Sequence, residues 1–352
     1  MRYSFVIPVY NRPDEVRELL ESLTHQELFD FEIVIIEDGS SVSSEAVVES
    51  YRGSFPALRY IAVPNGGPSR ARNLGAREAT GEYLIILDSD VVLPPGYLTA
   101  VDDYLEKHPV DAFGGPDAAS DDFTTVQKAI NYAMTSPLTT GGIRGGSADG
   151  MEKFKPRSFN LGCRRSVYLQ LGGFNEAMRF GEDIDFSIRI FKAGYTCRLF
   201  PEAWVWHKRR TDFRKFWRQV YNSGIARINL YKKYPESLKF VHLLPMLFTV
   251  GCTLLALLFI LGIVLFFILP AGMMQARGLA LSLLALLPLL LYAFLIFADA
   301  TSKNASAKIG LLSIGAAFIQ LTGYGCGFIE AWWKRCIEGK DEFSAYESNF
   351  YK

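Results

Sequence analysis

The sequence has few cysteines, and their spacing matches neither a disulfide framework nor a zinc site. The five cysteines lie at positions 163, 197, 252, 326 and 336, and no two of them form a CxxC pair. Small disulfide scaffolds and structural zinc sites both need cysteines at short, recurrent intervals. The sequence therefore predicts neither, and a reducing compartment suits it better.

The chain also lacks an excess of charge and a long apolar leader. It carries 37 basic and 37 acidic side chains, whereas proteins that bind nucleic acid usually show a basic excess. We therefore expect no nucleic-acid partner. The N-terminal run MRYSFVIPVYN is too short for a signal peptide and is interrupted by Pro8, so the N-terminal part is expected to stay in the cytoplasm.

Long uncharged runs occur only in the C-terminal third of the chain. Residues 243–269, 278–298 and 309–329 each approach or exceed the ~20 apolar residues that an α-helix needs to cross a bilayer. The third run contains several glycines and Gln320, so it either crosses the membrane or lies at its surface. We therefore expect two to three transmembrane helices.

These runs divide the chain into a domain of residues 1–235 and a membrane region of residues 236–352 with a short polar tail. Lysines before the first run and before the third favour a cytoplasmic N-terminal domain. The sequence Trp-Trp-Lys-Arg at 332–335 also resembles a cytoplasmic flank, although three crossings would place it outside. The side on which the C-terminus lies therefore stays open.

The sequence pattern of the N-terminal domain predicts a parallel β-sheet. Residues 4–10, 32–36, 58–63 and 83–87 form short, nearly continuous apolar runs, which are typical of strands covered on both faces. Helical patterns separate them, such as the apolar spacing from Val16 to Leu23. This alternation predicts a doubly wound, mostly parallel α/β sheet.

Acidic side chains follow the predicted strands, where sheets of this class bind ligands. Asp88 and Asp90 come directly after the strand YLIIL, and residues two apart in an extended chain point the same way. Carboxylate oxygens suit Mg²⁺ or Mn²⁺. The pattern therefore predicts a divalent metal site, although a D-x-D sequence alone is weak evidence.

Several motifs in register make a more specific signal. They read SFVIPVYNRP, IIEDGSS, GGPSRARNLGAREATGEYLIILDSDVVLPP, LGGFNE and GEDIDFSIRIFKAGY, and they lie within residues 1–210. They resemble the successive motifs of the family 2 glycosyltransferases, which have the GT-A fold, and of the membrane-anchored bacterial type in particular. One departure is Glu37, where the family often has a second aspartate.

The resemblance implies a set of donor-binding residues. Pro8, Tyr10 and Asp38 would line the nucleoside pocket, and Arg72 would hold the nucleotide end of the donor. Asp88 would lie near the ribose or the metal.

The resemblance also implies the reacting groups. Asp90 would ligate the metal directly, and His207 is expected as a third ligand. In the helix that begins at Gly181-Glu182-Asp183, Asp183 would act as base and Glu182 would position the acceptor. Without the resemblance, acids in a first helical turn and a lone histidine have ordinary structural explanations.

The implied reaction is an inverting, metal-dependent transfer of a sugar from a nucleotide-diphosphate sugar, a UDP-sugar above all, to a hydroxyl acceptor. The acceptor would be a glycan or a lipid-linked saccharide at the cytoplasmic face of the inner membrane, in the biosynthesis of cell-envelope polysaccharide. The basic stretch 208–218 either contacts membrane lipids or forms a solvated helix face. The glycine-rich residues 139–146 form either an acceptor-side lid or an ordinary surface loop. The motif Gln-x-x-Arg-Trp of processive synthases is absent, which favours addition of one or few sugars.

Two alternatives remain at this point. One is a polyprenyl-phosphate monosaccharide synthase, whose ionised phosphate acceptor needs no base. The other is a non-catalytic membrane scaffold with a relic transferase domain.

Overall fold

The computed structural model describes residues 1–118, 123–140, 154–178 and 180–341. The chain folds into two compact units. The first, here called the sheet unit, comprises Met1–Asp121 and Ser147–Lys208. The second, here called the helical unit, comprises Asp122–Gly146 and Arg209–Lys352. By packing, residues 209–235 therefore group with the C-terminal helices, whereas the division expected from the sequence put them in the N-terminal domain.

Ten strands within the described part of the chain form two sheets. In chain order they are β1 Tyr3–Val9, β2 Phe31–Asp38, β3 Leu58–Val63, β4 Tyr83–Leu87, β5 Val91–Val92, β6 Ala112–Gly114, β7 Asp117–Ala118, β8 Asn160–Arg164, β9 Cys197–Leu199 and β10 Val205–His207.

Twelve α-helices accompany them within the described residues. In chain order they are α1 Pro13–Thr24, α2 Glu45–Ser50, α3 Pro68–Glu78, α4 Tyr97–Lys107, α5 Thr125–Thr135, α6 Pro137–Thr140, α7 Arg165–Gln170, α8 Glu182–Lys192, α9 Phe213–Lys233, α10 Leu244–Ile268, α11 Met273–Asn304 and α12 Ala307–Trp332.

The larger sheet has seven strands in the order β3-β2-β1-β4-β8-β6-β9. Strands β3, β2, β1 and β4 run parallel, and β8 is antiparallel to both of its neighbours. Every residue of β2 and of β4 is buried, as expected for strands with helices on both faces. The predicted mostly parallel α/β fold is confirmed, and the predicted strand at 58–63 matches β3 residue for residue.

A second, three-stranded sheet in the order β5-β10-β7 was not predicted. Its strands have only two or three residues each, too few to produce a periodic sequence signal. It matters because β10 ends at His207, which pairs with Val91 of β5. A residue far along the chain thereby comes next to Asp90.

Among the residues of the helical unit that the structure describes, three helices are long and apolar enough to cross a membrane. They span Phe240–Ile268, Met273–Asn304 and Ala307–Ile337. They contain or overlap the three apolar runs that the sequence analysis identified.

The last of these helices differs from the first in burial. In its most apolar window 44% of the residues are buried inside the unit, against 6% for the first helix. Its glycines explain why: a Cβ at Gly327 would lie 2.0 Å from the Tyr221 carbonyl oxygen of α9, and one at Gly323 would lie 2.6 Å from Val220. The glycines of the third apolar run therefore allow α9 and α12 to pack with their backbones close together.

Candidate active site

Three neighbouring strands of the sheet unit end at the same edge. Strands β2, β1 and β4 are adjacent and parallel, so the residues after their last positions lie side by side. Asp38 ends β2, and Asp88 follows β4. Asn11, shortly after β1, has a positive φ of 54°, and its side-chain oxygen accepts a hydrogen bond from the Val42 N–H at 2.9 Å. The loop after β2 is thus fixed to the end of β1.

Asp88, Asp90 and His207 form a cluster at this edge. One ligand atom from each lies within 4.8 Å of the other two, and His207 Nε2 is 3.4 Å from Asp90 Oδ1. The imidazole stacks on Phe159 with ring centres 4.6 Å apart, which fixes the ring plane. The two carboxylates suit Mn²⁺ or Mg²⁺ in donor type, and the spacing lets both of them and the imidazole reach one ion.

Arg12 contacts this cluster and was missed in the sequence analysis. Its guanidinium forms an ion pair with Asp90 Oδ2. Burial alone would raise the pKa of Asp90, but the hydrogen bond and charge of His207, together with Arg12, hold that pKa well below its usual range. Asp90 is therefore ionised at neutral pH. The available sequence signal was the position of Arg12, directly after a strand end and before the Pro13 that begins α1.

Arg72 of α3 connects two parts of the site. Its guanidinium lies 2.6 Å from Asp88 Oδ1 and 3.2 Å from Glu182 Oε1. The side chain is 5% exposed, and its charged end lies over the Phe174 ring at 5.5 Å. One buried arginine thus joins the cluster of Asp88, Asp90 and His207 to the acidic start of α8.

Glu182 and Asp183 begin α8, after Gly181, whose positive φ of 80° suits glycine. Burial first, and then the neighbouring Asp183 carboxylate, raise the pKa of Glu182 to about 7. Asp183 Oδ2 is 3.5 Å from Arg157, and its Oδ1 accepts from the Ile184 N–H at 2.8 Å. The two adjacent acids therefore have different partners.

Asn73 holds α3 and the segment before α8 together. Its amide donates to the Phe174 carbonyl at 2.8 Å and to Glu176 at 3.0 Å. Its oxygen accepts from the Tyr168 hydroxyl at 2.7 Å and from the Phe174 N–H at 2.8 Å. All four hydrogen-bonding positions of this buried amide are used. The sequence SRARN contained both Arg72 and Asn73, but only Arg72 was identified.

Asp38 is already engaged by the loop after β3. Its carboxylate accepts from the backbone N–H groups of Gly66 at 2.7 Å and Gly67 at 2.9 Å, and Asn65 donates to it at 3.3 Å. The assigned role of Asp38 in binding the nucleoside stays a prediction, as do those of Pro8 and Tyr10, which lie partly exposed at the end of β1.

Hydrogen bonds within the protein hold the Glu37 side chain in place. Its carboxylate is buried and accepts from the Ser44 N–H at 2.8 Å and the Tyr60 hydroxyl at 3.1 Å. It also accepts from Ser40. A glutamate at this position therefore organises the turn after β2. The glycine-rich segment predicted as a lid lies outside the described residues from position 141 to 146.

Two family models match the chain. A family model described as "Glycosyl transferase family 2" matches residues 4–172, and a model described as "Glycosyl transferase family group 2" matches residues 153–297. The chain belongs to the family 2 glycosyltransferases.

Curated glycosyltransferases align with part of the chain. An uncharacterized glycosyltransferase of Haemophilus influenzae is 31% identical over 193 residues, which are 54% of this chain and 62% of that protein. The pre-mycofactocin glycosyltransferase of Mycobacterium tuberculosis is 30% identical over 210 residues, 59% of this chain and 43% of that protein. The chain thus spans between two fifths and two thirds of the length of these relatives.

One solved structure matches almost the whole length of this chain. The mannosyltransferase PcManGT from Pyrobaculum calidifontis, in complex with GDP-Man and Mn²⁺, is 18% identical with a TM-score of 0.53, and the match covers 96% of this chain and 88% of that one. At 18% identity the similarity shows only the fold, which is the GT-A fold.

Proposed function

We propose that the protein is an inverting, metal-dependent glycosyltransferase that moves a sugar from a nucleotide-diphosphate sugar to a hydroxyl acceptor. One observation carries the proposal. The Asp88, Asp90 and His207 cluster is joined through buried Arg72 to Glu182, which is adjacent to Asp183. Groups for the diphosphate and groups for the acceptor are thus combined in one site.

Asp88, Asp90 and His207 would hold the divalent ion, Mg²⁺ or Mn²⁺. When bound there, such an ion offsets the negative charge that develops on the departing diphosphate. The Mn²⁺ in the PcManGT complex supports this choice of ion. Arg12, next to Asp90, adds a positive charge at the same edge of the sheet.

Asp183 is assigned as the base that takes the proton from the acceptor hydroxyl. General-base help of this kind is worth roughly 10²–10⁴ in rate. Glu182 is held by Arg72 and is assigned to positioning the acceptor. Its pKa of about 7 makes it the natural competitor for the role of base, so the two residues must be tested against each other.

The donor is proposed to be a UDP-sugar, held by Pro8, Tyr10, Asp38 and Arg72. The acceptor is proposed to be a glycan or a lipid-linked saccharide of the cell envelope. A partial relative supports the envelope setting: the Staphylococcus aureus poly(ribitol-phosphate) beta-N-acetylglucosaminyltransferase TarS is 30% identical over 114 residues, which are 32% of this chain and 20% of that protein.

We propose that the protein lies in the inner membrane, because the three long apolar helices of the helical unit suit a membrane anchor. We place the glycosyltransferase domain, residues 1–235, on the cytoplasmic side and the membrane region at residues 236–352. The basic stretch 208–218, which runs into α9, would contact anionic lipid headgroups.

A donor screen tests the proposal. The full-length protein in detergent is incubated with a panel of nucleotide-sugars, with Mn²⁺ and a crude lipid and glycan acceptor extract, and the anomeric configuration of the product is read by NMR. We expect a product of inverted anomeric configuration with one donor class. Asp183→Asn should lower the turnover at least 100-fold, and Asp103→Asn, on the exposed face of α4, should leave the turnover unchanged.

The absence of both transfer and hydrolysis with every donor would overturn the proposal in favour of a scaffold. Transfer to a lipid phosphate that survives Asp183→Asn would instead indicate a polyprenyl-phosphate sugar synthase.

A further inference from the structure

Helices α9 and α12 lie side by side and run in the same direction. Near the start of both, a Cβ added at Gly315 would lie 4.0 Å from Phe213. Near the end of both, the guanidinium of Arg335, just after α12, donates a hydrogen bond to the Asn229 side-chain oxygen. The close approach of Gly327 to α9 lies between these two points. The contacts advance together along the two helices, so both must take the same path relative to a membrane.

Helix α9 is too polar for the hydrocarbon core of a bilayer. It is 21 residues long, yet it is not among the described helices that are apolar enough to cross a membrane. Arg227 and Asn229 lie in its second half, and exposed cations occupy both of its ends, at positions 214, 215, 218, 232 and 233. Charged side chains are costly at the centre of a bilayer. If α12 crossed the membrane, it would have to carry α9 across with it.

Helices α10 and α11 form an antiparallel hairpin whose surface suits a membrane span. A Cβ at Gly262, near the end of α10, would lie 2.7 Å from the carbonyl oxygen of Gly278, near the start of α11. Both helices expose large apolar side chains along their length. The large apolar side chains that α12 exposes are Leu311 and Trp332, near its two ends. Helix α12 therefore lacks the continuous apolar surface that faces lipid on the hairpin.

The direction of α12 relative to α10 also argues against a third crossing. Three helices that cross a membrane in succession alternate in direction, so α12 would run parallel to α10. The contacts run the opposite way. The Thr249 hydroxyl donates to the Leu321 carbonyl at 3.4 Å. Farther along α12 but earlier in α10, a Cβ at Gly325 would lie 2.5 Å from the Pro245 carbonyl oxygen. Helix α12 therefore passes across the end of the hairpin at which α10 begins.

The distribution of charge agrees with a single hairpin. Lys239 precedes α10, Lys308 lies at the start of α12, and Lys334 and Arg335 follow α12. Residues 269–276, at the far end of the hairpin, carry no charge. If α12 does not cross, all four cations lie on one side of the membrane, as the positive-inside rule favours. A third crossing would place the last two on the other side.

We propose that α10 and α11 cross the membrane and that α12 does not. Instead, α9 and α12 lie together on the membrane surface from which α10 enters, with the exposed rings of Trp332 and Trp333 at the level of the lipid headgroups. The chain that follows α12 is then on the same side as Lys239. The inference rests on the proposed membrane location, but not on the chemistry of sugar transfer.

Labelling of introduced cysteines from each side of the membrane tests this topology. In the full-length protein, the three partly exposed native cysteines are first replaced by serine. The reporters are Lys239→Cys before α10, Ala271→Cys between α10 and α11, and Lys340→Cys after α12, all at exposed positions. A membrane-impermeant maleimide is added to sealed vesicles of either orientation. We expect Lys239→Cys and Lys340→Cys to label from the same side, at least tenfold more than from the other, and Ala271→Cys to label from the opposite side.

Labelling of Lys340→Cys from the same side as Ala271→Cys would overturn the inference. A C-terminal tag on the otherwise unchanged protein repeats the measurement without the serine replacements, since a protease should remove it from the side on which Lys239→Cys labels. Equal labelling of Ala271→Cys from both sides, or release of the unchanged protein from membranes by alkaline carbonate, would contradict the proposed membrane location itself.

Spin labels measure whether α12 lies at the surface. Gly315→Cys on α12 and Leu287→Cys in the middle of α11 both place a label at an exposed position. In nanodiscs, we expect the label at position 315 to be at least fivefold more accessible to a water-soluble nickel chelate than the label at position 287. Equally low accessibility at both positions would show that α12 is inserted in the hydrocarbon core and would overturn the surface location.

Discussion

Arg72 bridges Asp88 and Glu182, with guanidinium-to-carboxylate distances of 2.6 Å and 3.2 Å. The bridge is buried, and it joins a residue that follows β4 to the first residue of α8. A planar guanidinium can hold two carboxylates at fixed positions, whereas an ammonium acts as a point charge. Arg72 therefore sets the distance between the cluster of Asp88, Asp90 and His207 and the acidic start of α8.

Replacement of Arg72 by lysine tests this bridge. We expect Arg72→Lys to lower kcat by about 10- to 100-fold, since a misplacement of about 1 Å between reacting groups has effects of this size, while the helical content stays unchanged. The KM for the donor should rise less than kcat falls. Arg70→Lys on the same helix, at an exposed position, is the matched control. Equal kinetic constants for Arg72→Lys and the unchanged protein would show that the bridge has no role in positioning.

Arg12 and a divalent ion bound at the proposed site would compete for the same carboxylate. Because Arg12 pairs with Asp90, we expect Arg12→Met to bind Mn²⁺ about fivefold more tightly in the absence of nucleotide, the size expected for a partly exposed ion pair. Free Mn²⁺ measured by EPR gives the affinity directly. Arg17→Met, an exposed substitution on α1, should leave it unchanged. Weaker binding of Mn²⁺ to Arg12→Met would mean that Arg12 supports the metal site and does not compete with it.

Glu182 makes the stability of the sheet unit depend on pH. Its pKa in the folded protein, about 7, is above its ordinary value of 4.5, so the folded state binds the proton more tightly than the unfolded state does. The free energy of unfolding contributed by this group should therefore fall as the pH rises from about 4.5 to about 7 and then level off.

Glu182→Gln should remove this dependence. We expect the melting temperature of Glu182→Gln, relative to the unchanged protein, to be higher at pH 8 than at pH 5. Thermal unfolding in detergent at the two pH values measures it. A difference between the two proteins that is the same at both pH values would contradict the raised pKa.

Because α9 and α12 pack closely, we expect two glycines of α12 to differ in their effect on stability when each is replaced by alanine. A Cβ at Gly327 would lie 2.0 Å from the Tyr221 carbonyl oxygen, whereas at Gly315 the nearest atom, on Phe213, is 4.0 Å away. Gly327→Ala should therefore destabilise the helical unit by about 1–3 kcal/mol. Gly315→Ala should be neutral or stabilising by up to about 1 kcal/mol, because alanine favours a helix over glycine.

Unfolding of both variants in detergent, compared at one temperature, measures this difference. Equal stability of the two variants would show that the helices do not approach as closely as the structure has them.

The sequence predicted features that depend on local periodicity. Continuous apolar runs predicted that both faces of the sheet are buried. One of these runs, residues 83–87, coincides with β4. The pair Asp88 and Asp90 followed from its position after that strand. These are short-range properties, so one stretch of sequence contains the information.

Features that depend on long-range pairing were harder to predict. His207 was proposed through a family resemblance, but the pairing of β10 with β5 that brings it beside Asp90 involves strands of two or three residues. The grouping of residues 209–235 with the helical unit depends on packing against α12, which no local pattern in α9 indicates. Arg12 and Asn73 were missed because their roles arise from partners far along the chain.

In the proposed active site, Asp88, Asp90 and His207 hold one divalent ion together with the donor diphosphate. Pulsed EPR of the full-length protein with Mn²⁺ and UDP measures it most directly, through the nuclei that couple to the ion. We expect both a ³¹P coupling from the diphosphate and a ¹⁴N coupling from an imidazole, with only the ¹⁴N coupling lost in His207→Gln. A ¹⁴N coupling that persists in His207→Gln, or a bound ion without ³¹P coupling, would contradict the site described here.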